Sequence, residues 1–218
     1  MGYKFDTVIF DLDGTLLDTL DDLTDAVNAA LTAQGYPART REEVCAFVGN
    51  GVGRLMERAI PGGRDDPRYD ACMADFVAYY RAHCQDKTVP YPGIVDLLTR
   101  LKAGGVRTAV VSNKFDLAVK ALCDYYFDGL IGAAIGETAS VRRKPAPDTV
   151  LEALRQLGSD PAHAVYVGDS DVDVLTARNA GLPCISVTWG FRDAAFLRES
   201  GAAVLVSDAD ALYQLLTK

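Results

Sequence analysis

Thr7-Val8-Ile9-Phe10-Asp11-Leu12-Asp13-Gly14-Thr15 is the stretch on which the reading of this chain turns. Strand-forming residues end abruptly at an aspartate, and a second aspartate follows two positions later. A charge placed directly after an apolar run is costly unless something there needs it. Residues 3–10 therefore read as a strand that delivers Asp11 and Asp13 to its carboxyl end.

Outward from that strand, residues 15–85 read as helix only. Leu20, Leu23, Val27, Ala30 and Leu31 recur at helical spacing until Gly35. Thr40 and Glu43 form a capping-box pattern. Gly49-Asn50-Gly51 is a break, after which Leu55, Met56 and Ala59 share a face. Pro67 opens a further helix. A linker at 85–92 carries two prolines, and beyond it strands and helices alternate. Strands are predicted at 106–111, 130–135, 164–167 and 183–187. Helices are predicted at 115–125, 147–157 and 172–180, and a helix, a strand and a helix end the chain. Short apolar strands alternating with helices imply an α/β fold with a parallel sheet covered on both faces. The predicted organisation is a Rossmann-like core of residues 1–14 and 88–218, interrupted by a helical insert of residues 15–87.

Composition narrows the function. The 218 residues are 49% hydrophobic and carry a net charge of −8. That surface repels nucleic acid backbones and anionic membranes. No stretch approaches the roughly 18 apolar residues of a membrane span. The start, MGYKFDTVIF, lacks the features of a secretory signal. Cys45, Cys72, Cys84, Cys123 and Cys184 are odd in number and show no CxxC pair, as in a reduced, cytoplasmic protein. With only His83 and His163, a structural zinc site is not expected.

Three predicted strands end in polar residues: Asp11-Leu12-Asp13, Ser112-Asn113-Lys114, and Gly168-Asp169-Ser170-Asp171-Val172-Asp173. In an open parallel sheet, the carboxyl ends of the strands border the ligand crevice, so these groups converge. Lys144 lies just before a helix, in a loop able to reach the same edge. Any one of them alone reads as a turn residue, a cap or a solvated lysine. Four in order at strand ends read as a site. Asp11, Asp13, Asp169 and Asp173 raise one another's pKa values unless a cation compensates, and Mg2+ suits oxygen ligands shared with a phosphate. Ser112 and Lys144 supply donors to phosphoryl oxygens. The chemistry expected is phosphoryl transfer.

These residues resemble the haloacid dehalogenase superfamily over nearly the whole chain. Asp-Leu-Asp-Gly-Thr matches its first motif, Ser112 its second, Lys144 its third, and Asp169 with Asp173 its fourth. The resemblance implies that the insert is a small α-helical cap. It implies Asp11 as nucleophile and Asp13 as acid and base, an aspartate that phosphatases and phosphomutases have and dehalogenases lack. It implies Asp11, the Asp13 carbonyl and Asp169 around magnesium, with Asp173 orienting them. Within the superfamily the chain is similar to bacterial phosphoglycolate phosphatases at Phe47-Val48-Gly49-Asn50-Gly51 with Arg54, at Ser112-Asn113-Lys114, at Arg142-Arg143-Lys144-Pro145, at Val167-Gly168-Asp169-Ser170 and at Val187-Thr188-Trp189-Gly190. Gly49, Asn50, Gly51 and Arg54 read either as a substrate-binding anion site at a helix N-terminus or as a turn followed by a solvated residue. The resemblance thus implies hydrolysis of 2-phosphoglycolate, with Asn113 beside Ser112 and Lys144 as substrate-binding. Alternatives are a phosphomutase akin to beta-phosphoglucomutase, a pyrophosphatase and a broad-range small phosphatase. A phosphonoacetaldehyde hydrolase needs a cap lysine, and residues 15–86 contain none. A mere binding protein has no use for Asp11 and Asp13 together. The expected partner is a small phosphorylated metabolite, with no nucleic acid and no membrane, and a monomer or homodimer as the assembly.

Overall fold

The first strand is paired on both sides. Thr7, Val8, Ile9 and Phe10 run parallel to Arg107, Thr108, Ala109 and Val110 on one flank and to Ala164, Val165, Tyr166 and Val167 on the other. All four are buried, which explains a continuous apolar run rather than an alternating one. The structure is a computed structural model that describes residues 4–217. The start predicted for this strand, Tyr3, lies outside the described residues, and pairing begins at Thr7.

In chain order the elements are β1 (Thr7–Phe10), β2 (Leu17–Asp18), α1 (Leu20–Ala33), α2 (Arg41–Phe47), α3 (Gly51–Ala59), α4 (Tyr69–His83) and β3 (Val89–Pro90). There follow α5 (Ile94–Ala103), β4 (Arg107–Phe115), α6 (Asp116–Tyr126), β5 (Ala133–Glu137) and α7 (Asp148–Leu157). The chain closes with β6 (Ala164–Gly168), α8 (Asp171–Ala180), β7 (Cys184–Val187), α9 (Ala194–Glu199), β8 (Leu205–Val206) and α10 (Ala209–Leu216).

The chain divides into two compact units. The first comprises residues up to Leu17 and those from Pro90 onward. Its six strands run in the order β5-β4-β1-β6-β7-β8, all parallel. Strand β1 sits where the connections turn from one side of the sheet to the other, the place where an open α/β sheet leaves a crevice at its carboxyl edge. One face packs Ile9, Ala109, Val111, Ala133, Ile135, Ala164 and Tyr166 against Val150, Ala153 and Leu154 of α7 and Ala177 of α8. Helices α7 and α8 end at Gly158 and Gly181, both left-handed, as helix-terminating glycines do.

The second unit, Asp18–Val89, is built of α1 to α4. Leu23, Val27, Ala30 and Leu31 of α1 are buried together with Val44, Leu55, Met56, Cys72 and Phe76. The Thr40–Glu43 capping box is formed, with both reciprocal bonds present. The chain enters and leaves this unit through β2 and β3, which pair with each other. Asp22, buried in the first turn of α1, accepts from Lys87 N (3.0 Å), Thr88 N (2.9 Å) and Thr88 Oγ1 (2.7 Å). The incoming helix is thereby clipped to the residues that lead into β3.

Two readings need correction. Residues 15–85 are not helix alone, because β2 lies among them. The strand expected to stop at Val111 continues to Phe115. Val111 pairs with Ile135 but Phe115 with Glu137, so β4 carries two extra residues there. Such bulges re-aim side chains beside functional sites, and this one falls on Ser112-Asn113-Lys114.

Candidate active site

Asp11 follows β1 directly, and its N–H donates to the Val167 carbonyl at 2.9 Å. The sheet therefore sets where the carboxylate stands. Lys144 Nζ lies 2.7 Å from Asp11 Oδ1, 2.8 Å from Asp173 Oδ1 and 3.1 Å from the Tyr166 hydroxyl. That hydroxyl donates in turn to Asp173 Oδ1 at 2.8 Å. Lys144 is nearly inaccessible to solvent. Burial works against its charge, but the carboxylates of Asp11 and Asp173 outweigh burial and hold its pKa above the ordinary lysine value.

Asp173 serves two structures at once. Its Oδ2 accepts from Ser170 Oγ (2.6 Å), Ser170 N (3.1 Å) and Asp169 N (3.2 Å), completing the capping box of α8. Both of its oxygens are taken by protein donors, as in a residue that orients the groups around it. Asp169 Oδ2 accepts from Phe191 N at 2.7 Å, and Oδ1 from Thr15 Oγ1 at 3.3 Å. Trp189 Nε1 donates to the Thr15 carbonyl at 3.0 Å, so the loop after β7 closes on the first motif. The fit leaves no room for side chains. A Cβ on Gly14, which also has φ +85°, would run into the Asp169 carboxylate, and one on Gly190 would meet the same group.

Burial, then the neighbouring Asp173, pushes the Asp169 carboxyl up to about 7. The same two causes raise Asp11 well above the usual carboxylate range, against the pull of Lys144. Asp11, Asp169 and Asp173 each place an oxygen within 4.8 Å of the others. Three buried carboxyls this close are made compatible with full ionisation by a cation, and oxygen donors of this kind fit a divalent ion such as magnesium. The Asp13 side chain is not in that group. It faces Lys114 Nζ at 2.7 Å, so any part Asp13 plays toward a cation falls to its backbone.

Ser112 Oγ lies 3.4 Å from Asp13 Oδ2, as donor, and accepts from Lys114 N at 3.1 Å. Asn113 Nδ2 donates to the Lys144 carbonyl at 3.0 Å, anchoring the loop that carries Lys144. The fold thus brings together Asp11, Asp13, Ser112, Asn113, Lys144, Asp169 and Asp173. Sequence reasoning counted one lysine in the site, but Lys114 is a second. Tyr166 and the Phe191 amide carry no motif signal, and Thr15 is legible only as the last residue of the first motif. Gly49, Asn50, Gly51 and Arg54 lie in the second unit, at the start of α3. Gly49 and Gly51 have φ of +125° and +80°, values that favour glycine. The Asn50 side chain makes no capping bond, and Arg54 pairs with Glu57 at 2.6 Å while half exposed.

Lys144→Met is expected to cost about 3–5 kcal/mol of stability at neutral pH, because it leaves two buried carboxylates without their ammonium. Urea unfolding measures it, and a loss below about 1 kcal/mol would contradict the coupling described.

No helix among the described residues is long and apolar enough to cross a membrane. The model of the haloacid dehalogenase-like hydrolases matches residues 8–187. Phosphoglycolate phosphatase 1 of Pseudomonas aeruginosa is 36% identical over 211 residues, covering 92% of this chain and 76% of that protein. The phosphoglycolate phosphatase of Mesorhizobium japonicum is 34% identical, covering 94% and 92%. A crystal structure from Lactobacillus delbrueckii subsp. bulgaricus, under a provisional phosphoglycolate phosphatase name, is 39% identical with a TM-score of 0.94, covering 100% and 99%.

Proposed function

The chain belongs to the haloacid dehalogenase-like hydrolases, and from that premise we propose that it is a magnesium-dependent phosphatase whose Asp11 carboxylate takes the phosphoryl group from 2-phosphoglycolate. The observation that carries the reading is Lys144, held between Asp11 and Asp173 at 2.7 and 2.8 Å. A nucleophilic carboxylate and a phosphate-binding cation are side by side, beside a cluster of carboxyls that calls for a metal.

In this mechanism Asp11 attacks phosphorus and forms an aspartyl-phosphate. Asp13 protonates the departing ester oxygen, releasing glycolate, and then takes a proton from the water that hydrolyses the intermediate. Ser112 and Lys144 bind the transferring phosphoryl oxygens, and Asn113 keeps the Lys144 loop in place. Asp11, the Asp13 carbonyl and Asp169 would hold magnesium, with Asp173 orienting them. When bound, the ion neutralises phosphoryl charge and keeps the carboxylates ionised.

The substrate rests on the curated relatives, which carry the phosphoglycolate phosphatase name, and on residues 18–89 acting as a cap. There the amides of Gly49, Asn50 and Gly51 and the Arg54 guanidinium are donors suited to a carboxylate. The Arg54–Glu57 pair is exposed and worth little, so releasing Arg54 to a substrate costs little. Arg54→Ala is expected to lower kcat/KM for phosphoglycolate by roughly tenfold to a hundredfold, the worth of one charge-assisted hydrogen bond. An aryl phosphate should be nearly unaffected. Phosphate release from phosphoglycolate, hexose phosphates and pyrophosphate, measured with both proteins, tests this. Faster release from a hexose phosphate or pyrophosphate overturns the substrate, and an equal loss on every ester overturns the role of Arg54.

A further inference from the structure

One buried ion pair is left unused by the nucleophile and by the phosphate-binding residues. Lys114 Nζ stands 2.7 Å from Asp13 Oδ1, with side-chain exposures of 4% and 14%. An exposed pair of this kind would carry no message, but burying a lysine and an aspartate strips both of water. The backbone is shaped to do it. Ser112, Asn113 and Lys114 lie buried where β4 bulges, and Ser112 and Lys114, two residues apart and so on one side of the strand, both face Asp13. Ser112 then ties the arrangement together, accepting from Lys114 N at 3.1 Å and facing Asp13 Oδ2 at 3.4 Å.

We propose that Lys114 is a positioning residue for proton transfer. It engages Oδ1 of Asp13 and so commits Oδ2 to carrying the proton in both halves of the reaction. The inference rests on Asp11 and Asp13 acting as proposed above. In the first half, Oδ2–H gives its proton to the ester oxygen while the Asp11–phosphorus bond forms and the phosphorus–ester bond breaks. The leaving group departs as a neutral hydroxyl. In the second half, Oδ2 takes a proton from water while the water oxygen bonds to phosphorus. The Asp11–phosphorus bond breaks, and inorganic phosphate departs. Asp13 finishes each turnover as it began, and Lys114 keeps its protons throughout. A carboxyl free to rotate would present its proton in the wrong place, and misplacement by about 1 Å costs on the order of a hundredfold.

The competing role is direct binding of the phosphoryl group, as a second Lys144. A double-mutant cycle separates the two. Lys114→Met is expected to lower kcat by about tenfold to a hundredfold, with KM and inhibition by vanadate, a phosphate mimic, within about twofold of wild type. Asp13→Asn keeps an oxygen for Lys114 but removes the proton carrier, and adding Lys114→Met to it should slow turnover no further. Lys114→Arg should recover part of the rate. If Lys114→Met does not fold, Lys114→Gln takes its place, with the thermal midpoint as the check. Multiplicative losses in the double mutant, or a tenfold weaker hold on vanadate, overturn the proposal. Full turnover in Asp13→Asn instead overturns the acid–base reading on which it stands.

Discussion

Asp11→Asn should abolish turnover, by at least about a thousandfold or roughly 4 kcal/mol of transition-state stabilisation. The amide keeps the shape of the side chain but is a far weaker nucleophile toward phosphorus. The fold should survive, because the wild-type carboxyl is itself a burden. Burial and Asp173 raise its pKa, and its removal leaves Lys144 still bound to Asp173 at 2.8 Å and to Tyr166 at 3.1 Å. Thermal unfolding should shift by only a few degrees. A folded mutant that keeps more than about a hundredth of the wild-type rate would remove Asp11 from the nucleophile's role.

The second large effect concerns magnesium. Excess chelator should eliminate phosphate release, and added magnesium should restore it. Stability gives an independent readout whose sign follows from Asp169. Its carboxyl is pushed up to about 7 by burial and Asp173, whereas an unfolded aspartate titrates near about 3.9. Between those values the folded, metal-free chain holds a proton that the unfolded chain has lost. Its stability must therefore fall as pH rises through that window. A cation takes the place of the proton, so magnesium should stabilise little at pH 5 and fully at pH 8. At about a hundred times its dissociation constant the gain is about 2.7 kcal/mol, or roughly 5–10 °C for a chain of this size. Full activity in chelator, or equal thermal shifts at both pH values, would rule the metal site out as drawn.

What could be read from the sequence and what could not follows a physical division. Asp11 was legible because a charge ending an apolar strand is a local contradiction. The Thr40–Glu43 box was legible because both of its bonds span three residues. Lys114 was not, since its partner Asp13 lies 101 residues away, and a lysine after a strand reads as solvated. The continuation of β4 was hidden for a related reason. Strand periodicity stops at Val111, and only pairing with β5 carries the strand on. Helix α5, with Ile94, Leu97, Leu98 and Leu101 on its buried face, lies outside the predicted elements because Pro90 and Pro92 mark the stretch before it as a linker. The bond from Phe191 N to Asp169 has no side-chain signature at all.

The double pairing of β1 bears on how the chain is made. Thr7 leaves the ribosome 100 residues before its partner Arg107 and 157 before Ala164. At about 5–20 residues per second, this apolar strand waits on the order of ten seconds or more for its neighbours. Asp18–Val89, a compact unit of its own, is complete before either neighbour appears. Vectorial synthesis therefore builds the helical unit first and the phosphate-handling centre last. A nascent chain arrested before Ala164 holds Asp11 and Lys144 but not the strand that supports Asp169 and Asp173. Catalysis has to switch on late in translation, once β6 seals the second flank of β1.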